Sequence, residues 1–263
     1  MDLMLQGRVA AVAAASKGLG KGVAKELAAE GARVAICSRS LERITLAARE
    51  IEEATGATVL PIAADVSAKA GCESFIAQTV QRFGQLDILV TNAGGPPTGA
   101  VDSFSDEQWQ AALDLNLLST IRLIYAALPH IKQSDQGRVI AITSISAKQP
   151  LPNLTLSNTT RAGVLGFIKS LANELGHTGV TFNAVLPGWT RTERVEELVQ
   201  SLAQAQQRSA EEIIVGITQS IPARRMGEVE EFAAVVAFLA SGRASYLNGV
   251  ALQIDGGRSQ SLL

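Results

Sequence analysis

"VAAASKGLGKGVAKEL", residues 12–27, is the stretch that decides the fold. An apolar run ends in a glycine-bearing turn, and the turn opens a segment with the composition of a helix. Gly18 and Gly20 let backbone N–H groups approach an anionic ligand at the helix start, where the dipole favours negative charge. Glycines also serve plain tight turns, so the weight of this reading comes from its place directly after the first strand.

The same alternation runs through the whole chain. Residues 8–14, 33–38, 58–64, 86–92, 138–144, 180–187 and 250–255 read as strands. They are apolar nearly throughout, as parallel strands buried on both faces are. Helix-length patterns lie between them, at 20–31, 106–132, 157–176 and 228–241. The last carries an apolar stripe at Val229, Phe232, Ala233, Val236, Leu239 and Ala240. Right-handed crossovers then predict one α/β domain over 1–263. It is a Rossmann-type, doubly wound parallel sheet of about seven strands with helices on both faces. Residues 188–227 break the rhythm with two short amphipathic patterns. An insertion placed after the carboxyl end of a strand is expected to overhang the ligand crevice as a lid.

Composition sets the class. Hydrophobic residues are 47% and charged ones 18%, which supports a large core and excludes disorder. A net charge of −2 offers no footprint for nucleic acid and no polybasic membrane surface. No apolar run reads as the ~18 residues that a membrane span needs. The first residues lack the order of a signal peptide, so a cytoplasmic location is the expectation. Cys37 and Cys72 form no spacing motif and are expected as buried, reduced thiols. With His130 and His177 far apart, no metal site is expected.

Several segments together resemble the short-chain dehydrogenase/reductase family, over essentially the whole chain. "AAASKGLG" (13–20) matches the family's T-G-x-x-x-G-x-G turn, except that Ala14 stands at the first glycine. "ADV" (64–66), "TNAGG" (91–95), "LPGWTRT" (186–192) and the long C-terminal signature at 221–257 match in turn. The resemblance implies a dinucleotide held by Ala14, Ser16, Lys17, Gly18, Leu19 and Gly20. It adds Asp65 and Val66 at the adenine, Asn92, Ala93 and Gly94 after the fourth strand, and Pro187, Gly188, Thr190 and Thr192 near the nicotinamide. Arg161 would reach the ribose. An acid at the end of the second strand would repel a 2′-phosphate. Ser38 and Arg39 stand there instead, with Lys17 nearby, so NADP(H) is expected over NAD(H). Otherwise both cations are ordinary solvated charges.

The catalytic end departs from the family. A family member reduces a carbonyl with a hydride from the nicotinamide and a proton from a tyrosine. A lysine one helical turn on lowers that tyrosine's pKa, a serine steadies the substrate oxygen, and an asparagine keeps a relay water. Ser144 and Asn116 match the last two. Ser157 stands at the tyrosine and Arg161 at the lysine. Tyr125 and Tyr246 are the chain's two tyrosines, and both are expected to be structural; Trp109 is expected in the core. Ser157 and Arg161 are i and i+4, so they should share a helix face. A serine is a far weaker acid than a phenol of pKa about 10.

Three readings follow. In the first, the chain is an NADP(H)-dependent oxidoreductase, similar to 3-oxoacyl thioester reductases. Its proton chemistry is divergent, with an oxyanion site of Ser144, Ser157 and Arg161. In the second it binds a dinucleotide or ligand without turnover. In the third it is a non-catalytic subunit of a hetero-oligomer. The expected partner is a small-molecule substrate, with neither nucleic acid nor membrane. The helices at 106–132 and 157–176 imply, by resemblance, a homodimer or homotetramer.

Overall fold

A computed structural model describes residues 1–260. Seven strands form one parallel sheet, and all seven lie where the apolar runs predict. They are β1 (Val9–Val12), β2 (Arg33–Ser38), β3 (Val59–Ala63), β4 (Ile88–Thr91), β5 (Arg138–Ile142), β6 (Thr181–Pro187) and β7 (Ala251–Ile254). Their order is β3-β2-β1-β4-β5-β6-β7. The order reverses between β1 and β4, and a crevice opens there at the carboxyl ends of the strands, where open α/β sheets bind ligands.

Alternate residues of β1 feed two separate cores, which is why the run reads as uniformly apolar. Val9 and Ala11 face one core, with Phe75, Leu123 and Ile168. Ala10 and Val12 face the other, with Val23, Leu27, Ile44 and Phe232. The second core is covered by α1 (Gly18–Ala29), α2 (Leu41–Thr55) and α9 (Val229–Ala240). Helix α9 packs on α1 so closely that a Cβ at Gly22 would collide with the Val229 side chain. The first core is covered by α3 (Lys69–Phe83), α5 (Ser119–Ile131) and α6 (Thr155–Leu175).

The long helix expected at 106–132 is not uniform. It comprises α4 (Asp106–Ala112), a π-helical segment (Leu113–Leu118) and α5. This run is apolar and long enough to cross a membrane by length and composition, contrary to the expectation from the sequence. Its apolarity has a local cause, since Leu123, Ile124, Ala127 and Ile131 cover the sheet. Residues 188–227 form a helical hairpin of α7 (Glu193–Gln206) and α8 (Ala210–Gln219), with a small core of Val199, Ala203 and Ile213.

Three further expectations need correction or hold. Trp109 is half-buried rather than core, because α4 lies on the surface. Tyr246 is fully exposed and packs against nothing, in the turn before β7. Cys37 and Cys72 are buried and free, as expected. Burial in apolar surroundings pushes the Cys37 thiol up to about 12 and the Cys72 thiol up to about 11.

Candidate active site

The turn between β1 and α1 is shaped for close backbone approach. A Cβ on Gly20 would lie 2.6 Å from the Ala14 carbonyl oxygen and 2.9 Å from Asn92 Nδ2. Asn92 Nδ2 itself donates to the Ala14 carbonyl at 3.2 Å and ties the loop after β4 to the turn. Ala14 has φ +49°, a left-handed conformation in which an alanine is strained. The family resemblance places a glycine at that position, and the geometry explains why. Helix α1 starts at Lys17 with no side-chain cap and no acid in its first turn. Ser40, Ser105, Thr192 and Ser209 cap α2, α4, α7 and α8, while α3 and α6 share the lack of a side-chain cap. The N–H groups of the first turn of α1 are thus left for an outside acceptor. This observation fits a dinucleotide pyrophosphate.

The remaining nucleotide residues lie along the same edge. Ser16 and Leu19 are half-buried in the turn. Ser38 Oγ donates to the Ser40 carbonyl at 3.0 Å, and Arg39 is exposed with no ion-pair partner among the described residues. Lys17 is not free as expected, because α7 brings Glu197 across to its Nζ at 3.0 Å. Both side chains are well exposed, so the pair is solvent-screened and easily exchanged. Asp65 accepts from the Ser67 N–H and hydroxyl, and Val66 is buried. Ala93 is half-buried and Gly94 exposed after β4, while Pro187, Gly188 and Thr192 are half-buried and Thr190 buried after β6. Gly18, at φ +59°, would bring a Cβ to 3.6 Å from the Thr192 methyl. The first turn of α7 therefore rests over the glycine turn.

Asn116 sits inside the π-helical segment, 5% exposed. The wider π turn aims its side chain at the loop after β4, where Nδ2 donates to the Gly94 carbonyl at 2.8 Å. Its Oδ1 is buried with no partner among the described residues, so it is available to a water or a hydroxyl. Ser144 follows β5 in extended backbone, and its Oγ accepts from the Ser146 N–H at 3.1 Å. That contact uses a lone pair and leaves the Ser144 O–H free to donate.

Ser157 and Arg161 share one face of α6, as their spacing predicts. Arg161 Nε donates to Ser157 Oγ at 3.1 Å, and Nη1 donates to the Thr143 carbonyl at 2.8 Å. One guanidinium therefore joins α6 to the end of β5, beside Ser144. Burial, and then the positive charge of Arg194, pull the Arg161 pKa down to about 10. It remains a cation near neutral pH. Tyr125, 60% exposed, stacks edge-on against Phe167 on the outer faces of α5 and α6 and belongs to no crevice contact.

Two residues escaped the sequence reading. Asn158 clamps the loop ahead of α6, accepting from the Leu151 N–H at 3.3 Å and donating to the Leu151 carbonyl at 3.0 Å. Nothing in its spacing signals that role. Arg194, in the first turn of α7, reaches back over Gly95, where a Cβ would lie 2.6 Å from Nη2. Only the placement of the hairpin reveals it. A cavity of about 190 Å³ opens beyond Ser144, lined by Ile145, Gln149, Leu151, Ser220, Arg258 and Gln260.

Comparison with known proteins finds similar chains over nearly the whole length. A family profile described as enoyl-(acyl carrier protein) reductase matches residues 13–259. The chain is 34% identical to the 3-oxoacyl-[acyl-carrier-protein] reductase FabG of Escherichia coli (strain K12), over 96% of this chain and 97% of the relative. It is 35% identical to a granaticin polyketide synthase putative ketoacyl reductase of Streptomyces violaceoruber, over 95% and 92%. The crystal structure of L-sorbose reductase from Gluconobacter frateurii, complexed with NADPH and L-sorbose, superposes with a TM-score of 0.96. It is 31% identical and each chain is covered completely.

Proposed function

The chain belongs to the short-chain dehydrogenase/reductase family, and from that premise we propose that it is an NADP(H)-dependent oxidoreductase that reduces a carbonyl compound by divergent proton chemistry. The observation that carries this reading is the Arg161 bridge between Ser157 Oγ and the carbonyl of Thr143, the neighbour of Ser144. A cation and two hydroxyls are thereby gathered where negative charge would develop on a substrate oxygen.

The uncapped start of α1, Gly18 and Gly20 would hold the pyrophosphate, and Arg39 with Ser38 would receive the 2′-phosphate. When bound, the dinucleotide supplies the hydride. The Ser144 O–H donates to the substrate oxygen and fixes the carbonyl. Ser157 accepts from Arg161, so its own O–H is also left to donate, and the guanidinium charge steadies the oxygen as it becomes negative. The Ser157 hydroxyl then gives its proton to the substrate alkoxide and regains one from a water that the free Oδ1 of Asn116 is suited to hold, which is reprotonated from bulk solvent. The hairpin at 188–227 acts as a lid, with Thr192 and Glu197 as its contacts to the glycine turn. The exposed Tyr125, edge-on against half-buried Phe167, supports a homodimer or homotetramer through α5 and α6.

The test is NADPH oxidation by the purified chain against ketones, conjugated enones and 3-oxoacyl thioesters. Turnover that Ser144→Ala diminishes supports the proposal. Tight NADPH binding with no turnover across the panel would replace it with an inert dinucleotide-binding role. Binding of neither dinucleotide would leave a non-catalytic subunit.

A further inference from the structure

The crevice carries two guanidinium groups with no carboxylate to share. Arg161 lies on α6, with two of its five N–H donors engaged, Nε on Ser157 Oγ and Nη1 on the Thr143 carbonyl. Arg194 comes from α7 and makes no hydrogen bond or ion pair among the described residues. Its neighbours on the same hairpin are engaged: Arg191 meets Glu228 at 3.1 Å, and Glu197 meets Lys17 at 3.0 Å. The carboxylate next to Arg194 in sequence, Glu193, is turned away to the glycine turn, with Oε2 3.7 Å from the Cβ position of Gly18. Residues 92–101, the loop under Arg194, contain no acid.

Arg194 is exposed, and its guanidinium rests on a backbone position that carries no side chain. Its guanidinium lies on the backbone of Gly95, one residue past the carbonyl that Asn116 holds. Any side chain at 95 would push it away. The φ of Gly95 is not in the left-handed region, so turn geometry does not require glycine there. The missing Cβ instead makes room for Arg194. Arg194 is also close enough for its charge to act on Arg161. Two like charges close enough to act on each other, neither with a carboxylate partner among the described residues, suit an anion.

We propose that Arg194 is a specificity residue that binds an anionic group of the substrate, so that the preferred substrates are carbonyl compounds bearing a carboxylate close to the reacting carbon. This rests on the reductase reading above. A short oxo acid would place its carbonyl oxygen at Ser144 and Ser157 and its carboxylate toward Arg194. The corresponding neutral ester would lose the second contact.

The experiment compares 2-oxobutanoate and 3-oxobutanoate with their methyl esters, using the full chain and NADPH. Wild type should favour at least one acid over its ester in kcat/KM by about tenfold or more, the scale of one charge-assisted contact. Arg194→Met should abolish that preference through the acid's KM, leaving the ester within about twofold. Gly95→Ala, which keeps the arginine but displaces it, should do the same in part. NADPH affinity, measured by titration, should stay unchanged in both variants. Equal losses for acid and ester would overturn the proposal. So would weakened NADPH binding with an unaltered acid-to-ester ratio, which would assign the guanidinium to the dinucleotide's pyrophosphate. If no compound is reduced, the reductase reading fails by itself, and titration of each acid and ester into the NADPH complex decides this one. Saturable binding of the acid alone, lost in Arg194→Met, upholds it; equal or absent binding refutes it.

Discussion

At the nucleotide end of the crevice, the turn after β1 keeps its shape although Ala14 must hold φ +49° to do so. At the catalytic end Ser157 and Arg161 share an ordinary α-helical face and are joined by a 3.1 Å hydrogen bond. The first region has changed a side chain and retained its backbone at some cost. The second has retained its backbone freely and changed the chemistry that the side chains can perform. Backbone N–H groups bind phosphate, so the nucleotide end tolerates a changed side chain more readily than the proton-donating end does.

The largest test of that contrast is to restore the missing chemistry. Ser157→Tyr with Arg161→Lys should raise ketone reduction by about 10²–10⁴, the usual worth of a positioned general acid. Steady-state rates with NADPH and a simple ketone measure it. An inert double variant would mean that the crevice walls, and not only the proton donor, have been rebuilt. Removing Ser144 works in the opposite direction. Ser144→Ala should cost about 10²–10³ in kcat, the range for losing one oxyanion donor, with NADPH affinity intact. A loss confined to KM would place Ser144 in binding instead.

A smaller effect probes the strained side. Ala14→Gly should stabilise the fold by about 1 kcal/mol, the approximate cost of a left-handed alanine less the chain entropy of glycine. That corresponds to a rise of about 2–4 °C in Tm for a domain of this size. NADPH affinity should hold or improve. An unchanged melting temperature would mean that the turn carries no net strain, and the contrast between the two ends would weaken.

How far the sequence discloses each region follows from the range of the forces involved. All seven strands were legible, because burial on both faces leaves a continuous apolar run in each. Gly18 and Gly20 were legible because close backbone approach demands glycine at fixed spacing, and Asn92 through the family resemblance of its segment. The Ser157–Arg161 contact could be inferred because helical periodicity alone brings i and i+4 together. The π-helical widening around Asn116 has no local sequence pattern to mark it, although Leu117 in it packs closely on α6, where a Cβ on Gly163 would lie 3.2 Å away. Lys17 reads as a free cation until the hairpin delivers Glu197, which is 180 residues away along the chain. Arg194 was hidden for the same reason. Its meaning depends on where α7 lands, and no local pattern encodes that.

The smallest predicted effect concerns acid, and it falls on the nucleotide half. Arg225 Nη1 and Nη2 donate to Glu231 Oε2 and Oε1, each at 2.6 Å, and Oε2 also accepts from the Glu228 N–H at 2.8 Å. Led by the Arg225 hydrogen bonds, these contacts hold the Glu231 carboxyl down at about 2, against an ordinary 4.5. A carboxyl whose folded pKa is depressed gives stability that is fully present above its unfolded value and is lost as pH falls through the folded one. The clamp fixes the start of α9, the helix that packs on α1 behind the glycine turn. Wild type should therefore melt slightly above Glu231→Gln at pH 7, and the gap should close between about pH 4.5 and 2. Both partners are about half exposed, so the gap should be small and should shrink further in high salt. A gap that persists unchanged at pH 2 would assign the effect to packing of the side chain rather than to its charge. The α1–α9 face would then owe its stability to apolar contact rather than to this ion pair.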